Sequence, residues 1–139
     1  MIIPQHYSRR AFFSIPFLLM TFFSARMKRY DRVTNVLPFL LLTSILHWNK
    51  VKEKGLVRKL DIMMVLITIM SIESYSKRFR SFDKWLWRFS LCCSLIAYII
   101  NNTIIKDPLQ MVYIHMTFIH AFSGIFSSIA ICNSKSILN

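Results

Sequence analysis

Four ionisable side chains stand in or beside stretches that are otherwise apolar. They are His47 at the end of LLTSILHW, Asp61 in RKLDIMM, and His115 and His120 in YIHMTFIHAFSG. An ionisable group at membrane depth costs free energy unless it is paired or used, so each asks for a reason. Three imidazoles and a carboxylate are the donor set a catalytic zinc ion would use: neutral imidazole binds it well, and three protein ligands leave a fourth position for water. The ion would lower the pKa of that water and make a nucleophile at neutral pH. Asp61 would orient the water or accept its proton. Each residue also has a plainer role. His47 suits the negative end of a helix, and Asp61 stands where a helix N-cap is expected. His115 and His120 are able to hydrogen-bond across helices.

The elements that must position these residues read as all-α: an integral membrane helical bundle of four to five transmembrane helices, one domain over residues 1–139. The chain is 55% hydrophobic and 14% aromatic, yet its formal charge is +12, and its mean hydropathy is +0.45. A soluble chain this apolar would expose part of its greasy surface. A membrane protein resolves the conflict by alternating apolar spans with basic loops at the head groups. The cations sit in short clusters between apolar runs and form no single stripe, which argues against nucleic acid as a partner.

Candidate helices are 11–25, 33–49, 60–75, 85–105 and 108–132. The last is the strongest: Pro108 to Cys132 carries no Lys, Arg, Asp or Glu, and about 20 such residues cross a hydrocarbon core. Trp85, Trp87 and Trp48 are placed as interfacial anchors. Segment 60–75 has Asp61 and Glu73 near its ends, and segment 11–25 is short with arginines on both flanks. We read 11–25 as a retained span or interfacial helix rather than a cleaved signal, because basic residues follow FFSA directly. Pro38 and Pro16 are expected to kink their helices, and Pro108 to open the last one. Cys92, Cys93 and Cys132 have no disulfide or zinc-ribbon spacing and read as small buried hydrophobes. With two glycines in the chain, a Gly-rich phosphate loop is excluded.

If the last four segments span, the end of 33–49 and the starts of 60–75 and 108–132 share one face. His47, Asp61, His115 and His120 then belong to one side, the last two roughly 10 and 18 Å deep at 1.5 Å per residue. Orientation stays open. Lys50, Lys52, Lys54, Arg58, Lys59 and Lys106 lie on that face, joined by Arg9 and Arg10 if the first segment spans. The other ten Lys and Arg lie opposite; eight against ten decides nothing by the positive-inside rule, whereas a first segment that does not span makes it six against twelve and the histidine face non-cytoplasmic.

The arrangement resembles the CREST superfamily of membrane hydrolases, which includes alkaline ceramidases and progestin–adipoQ receptors. In that family a Ser-xxx-His closes one helix, an Asp opens the next, and a His-xxx-His pair lies in the last. TSILH matches the first element, with His47 as ligand and Thr43 or Ser44 in the serine position. Asp61 matches the carboxylate, and His115 and His120 match the terminal pair. The resemblance implies zinc held by His47, His115 and His120, with Asp61 and Thr43 or Ser44 on the metal-bound water, and a lipid amide or ester as substrate. The chain departs from the pattern in three respects. Thr43 replaces the serine, unless Ser44 serves from one residue nearer. The chain has at most five spans against seven, and its terminal histidines are five residues apart. On an α-helix a spacing of four leaves side chains about 40° apart, and five leaves them about 140° apart.

Two functions are therefore expected from the sequence. One is a structural or interaction protein that meets a partner protein or anionic lipid through its basic loops. The alternative is the metal-dependent hydrolase, or an inactive remnant of one. A channel or transporter is disfavoured, with no inverted repeat and no acid in mid-span. Asn101 begins an NNT glycosylation sequon at the end of its span, too near the membrane to be used.

Overall fold

The computed structural model describes residues 3–49 and 55–137; Lys50, Lys52 and Lys54 lie outside the described residues. The chain is all-helical, with no strand among the described residues. Five long helices follow one another: α1 Ile15–Met27, α2 Asp31–Asn49, α3 Leu56–Glu73, α4 Ser81–Thr103 and α5 Pro108–Cys132.

The ends follow local chemistry. A short helix, Gln5–Ser8, and a 3-10 stretch, Arg9–Ser14, lead into α1. Pro16 lacks an N–H and crowds the carbonyl four residues back, which favours a tighter turn just before it. Helix α1 ends in a Schellman turn: Tyr30 N donates to Ala25 O at 2.9 Å and Arg29 N to Arg26 O at 3.2 Å. Arg29 takes the left-handed position that closes this motif, with φ 57°, where glycine or asparagine is usual. Asp107 caps α5 by accepting from Leu109 N, with Pro108 in the first turn as expected. Pro38 sits inside α2 without ending it.

The α3 boundary corrects the reading of Asp61. Gly55 occupies the N-cap and α3 begins at Leu56, so Asp61 lies more than a turn inside the helix and is buried. It caps nothing. The three cysteines are free, as their spacing implies, but they are not buried as expected: Cys92 and Cys132 are exposed and Cys93 is half-buried.

Successive helices run up and down. Ser94 of α4 reaches Phe118 O of α5 at 2.8 Å, and Asn101 reaches Met111 O at 3.0 Å, an antiparallel pair. Helix α1 lies alongside α5 in the same direction: Arg10 bonds Tyr113, Thr21 bonds Ser127 and Ser128, and Lys28 bonds Ser134 O. The first segment is therefore a full member of the bundle. A core of Val33, Leu37, Leu40, Ile72, Trp87 and Ile131 fills one end. A smaller cluster of Ile3, Ala11, Trp48 and Val112 fills the other.

The polarity of the bundle is inverted relative to a soluble domain. Thr21, Thr34, Ser44, Thr68, Ser90 and Ser127 are buried, while Phe39, Leu66, Met70 and Leu95 are 61%, 56%, 71% and 60% exposed. By length and composition α5 alone of the described helices is sufficient to cross a membrane, with 25 residues and a mean hydropathy of 1.5. Charged and polar residues within α2, α3 and α4, and the shortness of α1, keep the others below that mark.

Candidate functional site

The end of α2, the first turns of α3, the end of α4 and the start of α5 meet at one end of the bundle. Asp61 Oδ1 accepts from Ser44 Oγ at 2.7 Å and from Thr43 Oγ1 at 3.2 Å. Both hydroxyls come from α2, so a buried carboxylate ties α2 to α3. Thr43 and Ser44 both donate to the same carboxylate oxygen. His47, one turn beyond them, lies within electrostatic reach of Asp61, Arg58 and His115. Trp48 packs its ring 4.5 Å from that of His115 and is 6% exposed.

The terminal histidines meet, although their spacing forbids it on an α-helix. Residues His115–Phe122 form a π-helix, whose wider turn hydrogen-bonds i to i+5 and so brings residues five apart onto one side. The Nε2 atoms of His115 and His120 stand 2.9 Å apart. Phe118 O, inside this stretch, accepts from Ser94 of α4, and Ser123 Oγ bonds Ile119 O. Neighbouring hydroxyls thus engage carbonyls of the widened turn.

His47, Asp61 and His115 line a common cavity of about 200 Å³ with Trp48, Arg58 and Asn101. His120 faces the other way, into an apolar space of about 90 Å³ at the bundle centre, beside Thr21, Ser94 and Ser127. The two histidines are a partition between a polar pocket at one face and an apolar one at depth.

The chain matches no family model, no curated protein and no solved structure.

The fit to a zinc ion is incomplete. Two imidazole nitrogens on one tetrahedral zinc stand about 3.3 Å apart, from metal–nitrogen bonds of about 2.0–2.1 Å. His115 and His120 are close to that spacing. Yet among the described residues no group of three His, Cys, Asp or Glu side chains is placed to hold an ion. His47 shares the cavity without converging on the pair.

Three residues at the site were not assigned to it in the sequence reading. Trp48 Nε1 and Asn101 Oδ1 are buried without a hydrogen-bond partner, both on cavity-lining residues, and Arg58 Nη2 bonds Asn102 Oδ1 at 3.3 Å. Asn101 also donates to Met111 O and joins α4 to α5. It is a polar residue in an uncharged run, the same signal that singled out the histidines.

Proposed function

We propose that the chain is an integral membrane protein, a five-helix bundle with a structural or interaction role, meeting a partner protein or anionic lipid through its basic loops. One observation carries this reading. Hydroxyls, an amide, a carboxylate and an imidazole point inward, while large apolar side chains cover the outside. In water that distribution is costly; in lipid the apolar exterior is solvated and inward polar groups join helix to helix. When membranes holding the full chain are washed with alkaline carbonate, the protein stays in the pellet. Release into the supernatant would overturn the reading.

A second reading, a metal-dependent hydrolase of a lipid amide or ester or an inactive remnant of one, is favoured by the π turn. That turn removes the obstacle of the five-residue spacing by bringing His120 against His115, which lines the cavity of His47 and Asp61. With the third ligand not in place, no reaction step follows from this arrangement. Metal content decides it: near-stoichiometric zinc in the detergent-purified protein, lost in His115→Ala, supports the hydrolase reading. Metal-free protein in both samples eliminates an active metal-dependent hydrolase.

A further inference from the structure

The face opposite the histidines has its own construction. Three chain segments meet there: the α1–α2 turn, the α3–α4 connection and the tail beyond α5. Tyr30 stacks on Tyr75 with ring centroids 4.1 Å apart and planes 4° from parallel. The Tyr30 hydroxyl bonds Ser134 Oγ at 2.6 Å and Lys135 O at 2.9 Å. Lys28 Nζ donates to Ser134 O, Arg78 Nη1 to Ser136 O, and Lys135 N to Arg78 O. Two cations are thus consumed in knitting the three segments into a platform.

Around that platform stand Arg26, Arg29, Arg32, Lys77, Arg80 and Lys135, all exposed. The acids nearby do little to balance them. Glu73 pairs with Arg88, and Asp83 is buried and accepts from Asn133, leaving Asp31 as the exposed acid. Arg29 is further marked by its backbone: a cation occupies the left-handed position that glycine or asparagine would fill with less strain. The depth of the platform is set by an exposed aromatic ladder at the start of α4. Phe82, Trp85 and Phe89 stack in turn, with centroids 6.5 and 5.4 Å apart, as residues at a membrane–water interface do.

We propose that this platform docks the phosphate groups of anionic phospholipids in the leaflet it meets. The inference rests on the reading that the bundle spans a membrane. It commits to lipid over a protein partner because cations and interfacial aromatics occur together at one depth. Juxtamembrane clusters of Lys and Arg attract anionic head groups additively, whereas zwitterionic lipids offer no net charge.

The test uses the full chain, purified in detergent and offered equimolar phosphatidylglycerol and phosphatidylcholine, with retained lipid read by native mass spectrometry. About tenfold preference for phosphatidylglycerol is expected, the size that one or two interfacial cations supply. The triple variant Arg29→Gln, Arg32→Gln, Arg80→Gln should lose it, and Arg29→Lys, Arg32→Lys, Arg80→Lys should keep it, which separates charge from folding. Equal retention of the two lipids, or an undiminished preference in the glutamine variant, overturns the proposal. So does abolition of the preference by inorganic phosphate alone, which would make free phosphate the ligand. Failure of the membrane reading looks different: the protein then leaves the pellet in alkaline carbonate whatever lipid it prefers.

Discussion

Asp61 is the residue on which the histidine end depends most directly. Its carboxylate is 7% exposed and takes two hydroxyl bonds from α2. A buried carboxylate is tolerable only while its acceptor capacity is met. Ser44→Ala removes the shorter bond, and a loss of about 1–3 kcal/mol in unfolding free energy is expected, measured by denaturant titration in mixed micelles. A cycle with Asp61→Asn should be non-additive, because the two side chains share one interaction. A Ser44→Ala protein as stable as wild type would mean that the bond contributes nothing. In sequence, Asp61 and the histidines were legible because they interrupt apolar runs. What Asp61 does was not, because its helix starts earlier than its hydropathy. Trp48 and Asn101 were hidden behind ordinary roles, an interfacial anchor and a sequon; their orphaned atoms exist only once four helices close around them.

At the scale of elements, the π turn and the α1–α5 seam are the informative parts. Five-residue spacing of two histidines splays them on an α-helix, but the π turn brings them together. Sequence periodicity assumes an α-helix and so could not supply the answer. The seam depends on small residues. A Cβ built on Gly124 would stand 3.0 Å from Phe17 Cβ and 3.2 Å from Phe17 O, so the backbones approach as closely as they do because Gly124 has no side chain. Gly124→Leu should destabilise the bundle by about 1–3 kcal/mol, the usual cost of overpacking, with Gly124→Ala milder. Thermal unfolding in detergent tests this, and a leucine variant with an unchanged midpoint would show the seam to be loose. Hydropathy placed the five helices within a few residues but said nothing of which neighbours touch, since α1 meets α5 across nearly the whole chain.

At the scale of the molecule, five alternating helices put the α3–α4 connection and the α4–α5 turn on opposite faces. Cysteines introduced by Lys77→Cys and Lys106→Cys, each in a background with Cys92, Cys93 and Cys132 changed to serine, should react differently. A membrane-impermeant maleimide added outside sealed vesicles labels one of them and not the other. Labelling of both from outside would break the alternation. The all-helical architecture was legible from the long apolar runs between charged clusters. The inverted polarity was not, because a sequence does not tell which serine of an apolar run faces inward. Burial does: Thr21, Ser127 and Ser128 are interior, while Phe23 and Ile129 are exposed.

The parallel contact between the first helix and the last has a consequence for how the protein is made. Thr21 and the Gly124 carbonyl it bonds are 103 residues apart in the chain. At roughly 5–20 residues per second of synthesis, α1 would wait roughly 5–20 s for its mate to emerge. Through that interval its hydroxyls have somewhere to go: Thr21 bonds Phe17 O and Ser24 bonds Met20 O within their own helix. Thr21 and Ser24 are thus satisfied within α1 before α5 emerges, and the α1–α5 seam closes late in synthesis.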